Sequence, residues 1–148
     1  MKETAITTKL IQKLNLLPNC YARKRHGSAY CSGDPDIHIC FQGLTIFVEM
    51  KVISGELSDL QAVMLQRWQD AGATCILAVY DTTQKSFSFF INPAEPCSWK
   101  NFVGKVKPLV SDARNIDIHC NARYDNMLEL LNKIYAKNEN SKALKFNP

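Results

Sequence analysis

Several common chemistries are missing from this 148-residue chain. Its six cysteines, Cys20, Cys31, Cys40, Cys75, Cys97 and Cys120, include no C-x-x-C pair. No His/Cys cluster has zinc-finger spacing, so neither a zinc module nor a disulfide framework is expected. Cys40 and Cys75 fall inside predicted strands, where a reduced thiol behaves as a small apolar residue. No glycine-rich phosphate loop is present, and no Ser or Cys is set up as a nucleophile, which argues against nucleotide hydrolysis and acyl transfer. His26 and His119 belong to no constellation. No apolar run approaches transmembrane length, and the opening MKETAITTKL does not resemble a signal peptide. The expectation is a soluble, cytoplasmic protein with no membrane partner.

The length suits a single domain with a sizeable core. The net charge of +4 permits contact with a polyanion without requiring it. Basic residues gather at Arg23-Lys24-Arg25 and again at Lys100, Lys105 and Lys107. Such clusters are either solvated faces or phosphate contacts, which set register on DNA but carry no sequence information.

The most informative stretch is Gly33 to Lys51, GDPDIHICFQGLTIFVEMK. Strand-type residues run from Ile37 to Phe41 and from Leu44 to Met50, separated by Gln42-Gly43, and so predict a β-hairpin. Pairing Phe41 with Leu44 sets Ile39 opposite Ile46, Ile37 opposite Val48 and Asp36 opposite Glu49. Strand side chains alternate between faces, so Ile37, Ile39, Phe41, Leu44, Ile46 and Val48 form a core face. The other face carries Asp36, His38, Cys40, Thr45, Phe47, Glu49 and Lys51. Like charges directly opposite in a sheet are destabilising, by roughly 0.2–1 kcal/mol. A cation between the carboxylates relieves that cost. Lys51 supplies part of it, and a divalent metal would supply the rest. Carboxylate oxygens suit the hard cations Mg²⁺ or Mn²⁺. His38 either lines this site or is a half-buried bystander. Asp34 either anchors Lys51 or is an ordinary turn aspartate before Pro35.

Around the hairpin, Glu3 to Leu17 predicts an amphipathic helix (Ile6, Leu10, Leu14, Leu17) stopped by Pro18-Asn19. Cys20 to Tyr30 predicts a first strand and loop. Ser58-Asp59-Leu60-Gln61 is a capping box opening a second helix that runs to Ala71, with Gly72 as its stop. Ala73 to Tyr80 is a continuous apolar run, expected of a strand buried on both faces. Phe87 to Ile91 predicts an edge strand. Beyond Asn92, Ser98 to Val110 predicts a helix interrupted at Pro108, Arg123 to Lys137 an amphipathic helix, and Asn138 to Pro148 a frayed tail. The expected organisation is a core over residues 1–92 with a helical extension over 93–148 packed on it, one domain overall.

Pro35-Asp36 followed after a hairpin by Glu49-Met50-Lys51 resembles the PD-(D/E)XK nuclease signature. With Gly33 before it, Phe47-Val48 within it, and Gly55-x-Leu57-Ser58-x-x-Gln61 after it, the pattern is similar to the virus-type replication-repair nuclease (VRR-NUC) domain over roughly Glu3 to Tyr80. That resemblance implies an α/β fold with a restriction-endonuclease-like core, αβββαβ, whose mixed sheet is flanked by helices. It also implies a metal held by Asp36, Glu49 and the main-chain carbonyl of Met50, with Glu3 as a further ligand. Glu3 equally suits its helix N-terminus electrostatically. Catalytic roles fall to Asp36, Glu49, Lys51 and Gln61, although the capping box competes for Gln61. Arg23, Lys24 and Arg25 are the expected DNA contacts.

The expected activity is Mg²⁺- or Mn²⁺-dependent endonucleolytic cleavage of DNA, either duplex or branched such as a Holliday junction. Stand-alone domains of this kind resemble phage or prophage proteins acting in a bacterial cytoplasm, and a junction substrate favours a symmetric homodimer. The competing classes are a non-catalytic DNA-binding module and an interaction subunit that keeps the fold.

Overall fold

The computed structural model describes residues 2–25, 32–112 and 119–146, with the side chains of 119–122 and 140–146 left out. The expectations on His26, Gly27-Ser28 and Cys31 lie outside the described residues, as do those on the side chains of His119 and Cys120. Helix α1 (Glu3–Leu14) leads into strand β1 (Cys20–Lys24), then the hairpin of β2 (Ile37–Phe41) and β3 (Leu44–Val52). A two-residue strand β4 (Glu56–Leu57), helix α2 (Asp59–Asp70) and strands β5 (Thr74–Asp81) and β6 (Ser86–Ile91) follow. A 3₁₀ turn (Trp99–Phe102), β7 (Gly104–Lys105), α3 (Lys107–Asp112), β8 (His119–Ala122) and α4 (Met127–Phe146) complete the chain.

The main sheet has six strands in the order β1-β2-β3-β5-β6-β8. All neighbours are antiparallel except β3 and β5, which run parallel and are joined through α2. The hairpin register is the one the alternation pattern demands: Ile37 faces Val48, Ile39 faces Ile46 and Phe41 faces Leu44. Gln42 and Gly43 have φ of 49° and 82°. Positive φ at both turn residues gives the turn whose twist matches that of its strands, and it fixes the register.

Each sheet face carries its own core. The hairpin's apolar face packs with Ile76, Ala78 and Phe87 under Ile6, Leu10 and Leu14 of α1 and Leu130, Leu131 and Ile134 of α4. The opposite face packs Phe47, Cys75, Leu77, Val79 and Phe90 under Ala62 and Leu65 of α2, with Trp99, Phe102 and Val106. Residues on both sides of position 92 therefore build both cores. Among the described residues no helix is long and apolar enough to cross a membrane.

Four expectations need correction. Helix α1 stops at Leu14, not Leu17, because the Asn15 side chain turns to bind the backbone of Ala22, donating to its carbonyl (2.9 Å) and accepting from its N–H (2.7 Å). Strand β6 is not an edge, because β8 pairs along it. Ser98 to Val110 is no single helix: the chain breaks into the 3₁₀ turn, β7 paired with β4, and α3, with Pro108 in the first turn, where its missing N–H costs nothing. The last helix continues through the expected tail to Phe146.

Candidate active site

The hairpin and its continuation place two carboxylates beside each other at the far end of β3. Asp36 immediately precedes β2, and its Oδ2 accepts the backbone N–H of Met50 at 2.9 Å. Glu49, the next residue along, lies opposite Asp36 on the register that pairs Ile37 with Val48. Glu49 is only 2% exposed. Its Oε1 lies 3.7 Å from Lys51 Nζ, while its Oε2 is buried without a hydrogen-bond partner. Burial, and then the charge of Asp36 beside it, push the Glu49 carboxyl up to about 9; Lys51 opposes, while a hydrogen-bonding interaction with Asp36 and then the charge of Glu3 add to the rise. A carboxylate this deep is costly unless something positive meets it.

These residues fit a divalent cation. The Oε2 of Glu49 is a buried oxygen with no hydrogen-bond partner, open to a cation when the carboxyl ionises. The backbone supplies another. In a strand the N–H and C=O of one residue point to the same side, so the Met50 carbonyl points where its N–H does, towards Asp36. The residue that would face Met50 across the hairpin is Pro35, which has no N–H to donate to that carbonyl. The buried Pro35 just before Asp36 therefore offers that carbonyl no N–H from across the hairpin. Among the described residues no three His, Cys, Asp or Glu side chains group to hold a metal by themselves. Two carboxylates, a carbonyl and solvent or substrate oxygens make a set that suits Mg²⁺, which keeps waters and needs near-octahedral oxygens.

The other expected site residues divide. Glu3 does reach this end of β3, but its Oε2 accepts the N–H of Val52 (3.3 Å), and it makes no three-carboxylate cluster with Asp36 and Glu49. Gln61 is committed to the capping box: its Oε1 accepts from the N–H of Ser58 (3.0 Å), and the Ser58 hydroxyl accepts from the N–H of Gln61 (3.1 Å). That bond uses the carbonyl end of Gln61 and leaves its amide as a donor.

Asp34 neither pairs with Lys51 nor acts as a bare turn residue. Its Oδ2 lies 3.3 Å from Arg25 Nη2, and its Oδ1 accepts from Trp68 Nε1 at 3.2 Å. Gly33, at φ +81°, lets this loop lie on Leu60 of α2: a Cβ there would sit 2.5 Å from Leu60 Cγ. Arg25 is therefore a clamp more than a free cation, with its guanidinium also 5.3 Å and 5.5 Å from the ring centroids of Phe47 and Trp68. Arg23 and Lys24 are exposed and have no carboxylate partner among the described residues, but the register pairs Arg23 with His38 on the site face and Lys24 with Ile37 on the other, so of the two only Arg23 faces the carboxylates. With Arg25 and His38, Arg23 and Lys24 line a pocket of about 310 Å³. His38 stacks on Phe47 (4.7 Å between centroids), and burial followed by Arg25 and Arg23 lowers its pKa, so it is neutral at pH 7. Reading the sequence missed Trp68 in this neighbourhood. Nothing in local spacing links it to Asp34, which is 34 residues away.

No family model matches the sequence, and no curated protein matches it, so the likeness to VRR-NUC rests on the motif residues alone. Among solved structures the chain is similar to Hjc of Archaeoglobus fulgidus, a Holliday junction resolvase from an archaeal hyperthermophile. The match has a TM-score of 0.48 and 20% identity, over 61% of this chain and 72% of that one. The fold itself is an α/β domain with a mixed sheet flanked by helices, in the order αβββ, then α2 and β5.

Proposed function

We propose that the protein is a metal-dependent DNA endonuclease of the PD-(D/E)XK type, most similar in its motif spacing to VRR-NUC. One observation carries the proposal: a fully buried Glu49 with an unpartnered oxygen, beside Asp36 and 3.7 Å from Lys51. Burial and the neighbouring Asp36 raise this glutamate to about 9, the kind of perturbation that functional carboxylates show. Asp36, Glu49 and the Met50 carbonyl would hold Mg²⁺ or Mn²⁺. Bound there, the ion supplies positive charge beside the scissile phosphate and lowers the pKa of an attacking water. Asp36 is held in place by the Met50 N–H, so its free oxygen is aimed before any ligand arrives. Lys51, anchored by Glu49, donates to a phosphate oxygen and stabilises the charge that grows on it during in-line displacement. Arg23, on the same face as the carboxylates, contacts a flanking phosphate.

The substrate is DNA, duplex or branched, and a homodimer would place two such sites on two strands. The test is cleavage of labelled four-way junction, flap, duplex and single-stranded DNA with Mg²⁺, Mn²⁺ or EDTA, comparing wild type with Lys51→Ala. Metal-dependent cutting that the substitution abolishes is the expected result. Binding without cutting under either metal would make the protein a non-catalytic DNA-binding module and overturn the proposal.

A further inference from the structure

Beside the carboxylates, three aromatic side chains stand in a row on the same face of the sheet. His38 of β2 stacks on Phe47 of β3 at 4.7 Å, and Phe47 lies 4.4 Å from Trp68 of α2. Phe47 is buried and supports the other two, which are partly exposed. Trp68 is fixed from several sides at once. Phe47 packs on it, the Arg25 guanidinium lies 5.5 Å from its centroid, and its N–H is spent on Asp34, itself tied to Arg25. With its polar edge satisfied, what Trp68 has left to offer a ligand is ring surface, and that surface is already oriented.

Two hollows flank this row. One, of about 270 Å³, is lined by Thr45, Phe47, Trp68, Ala71, Gly72 and Ala73. Its rim is open: a Cβ placed on Gly72 would meet nothing within 4 Å. Drug-sized ligands fill roughly 300–1,000 Å³, so this cleft suits something smaller and planar. The other is the basic pocket of Arg23, Lys24, Arg25 and His38. An aromatic cleft beside a cation with no carboxylate partner, here Arg23, is complementary to a base joined to its phosphate. Bases inside a duplex are stacked on their neighbours and cannot enter such a cleft, whereas unpaired ones can.

We infer that this face seats one unpaired nucleotide of the substrate, its base stacked on Trp68 and its phosphate at Arg23, which the β1–β2 register sets beside His38 on the same face. This rests on the nuclease proposal and narrows its substrate class to DNA carrying unpaired nucleotides, such as single strands, flaps and open branch points.

Binding is measured in EDTA, where no cutting can occur, by anisotropy of a labelled short oligothymidylate, the same backbone made of abasic sites, and a blunt duplex. Tryptophan emission is followed in parallel. Trp99 is wholly buried, so a ligand-dependent change reports Trp68. Wild type is expected to bind the oligothymidylate about tenfold more tightly than the abasic strand, with quenching, as stacking on one ring implies. Trp68→Ala should erase that difference, Trp68→Phe should keep most of it, and duplex affinity should not move. Equal affinity for the oligothymidylate and abasic strands by the wild type overturns the inference without relying on any variant, and so does failure to bind single strands. Base-selective binding by a protein that never cuts with metal would sink the nuclease proposal alone. Metal-dependent cutting with no base preference would sink only the nucleotide seat.

Discussion

Asp36 and Glu49 face each other across the hairpin, and only Asp36 has a backbone partner: its Oδ2 accepts from Met50 N–H at 2.9 Å, while Glu49 Oε2 has none. One carboxylate is thus positioned by the protein, and the other keeps a buried oxygen without a hydrogen bond. Four predictions follow from that asymmetry and from the residues around it.

Asp36→Asn keeps an oxygen able to accept the Met50 N–H but removes the charge. Thermal stability should change little, while cleavage falls by about 10²-fold or more. Asp36→Ala also strips the Met50 N–H of its partner and should cost a further ~1–3 kcal/mol. Melting curves and single-turnover cleavage of the two variants separate charge from scaffold. Equal stability of both would show that the Met50 bond does not hold the site.

Glu49 makes the metal-free protein less stable at higher pH. Its folded pKa of about 9 lies above the ordinary 4.5, so between those values the folded state binds more protons than the unfolded one. The contribution is fully present below pH 4.5, declines as pH rises, and is lost through about pH 9. In EDTA, the melting temperature of wild type relative to Glu49→Gln should therefore drop between pH 6 and pH 9. Mg²⁺ should reverse the trend, because its binding favours the carboxylate and releases a proton. A flat difference across that range would show that Glu49 is already ionised in the metal-free protein.

Gln61 can be assigned by two substitutions. Gln61→Ala breaks the capping box and should lower stability by ~0.5–2 kcal/mol, a few degrees in melting temperature for a chain of this size. Gln61→Glu can keep the box, since glutamate serves equally at that position, but it loses the amide donor. Full cleavage by Gln61→Glu would confine Gln61 to capping, whereas loss of cleavage at unchanged stability would place its amide at the phosphate.

Asn15 blocks an edge of the sheet. It satisfies the carbonyl and N–H of Ala22 on β1, whose only strand neighbour among the described residues is β2. Asn15→Ala should cost ~1–3 kcal/mol and bare a strand edge that can pair with another chain. Size-exclusion chromatography across a concentration series should show self-association that wild type lacks. A variant that is destabilised yet associates no more than wild type would limit Asn15 to a local stability role.

Period-two alternation in the chain made the hairpin legible down to its register. A one-residue slip would have turned Ile37, Ile39, Ile46 and Val48 out to solvent, so local pattern and burial could agree only one way. Ser58 and Gln61 announced the start of α2 through a bond between near neighbours. The C-terminal segment was harder to read. Strand β8 gains its identity from pairing with β6, and Trp99, Phe102 and Val106 from filling the core under α2, both non-local conditions.

By itself the sequence determined which face of the hairpin carries Asp36, Glu49 and Lys51, because alternation and turn geometry act over a few bonds. Only the tertiary structure decided how deeply Glu49 is buried, that Glu3 serves Val52, and that Asp34 and Arg25 lock Trp68 beside the site. Those outcomes depend on how α1, α2 and the loop before Asp36 pack around β3. Solvent exclusion and contacts between residues distant in the chain exist only once the layers have assembled.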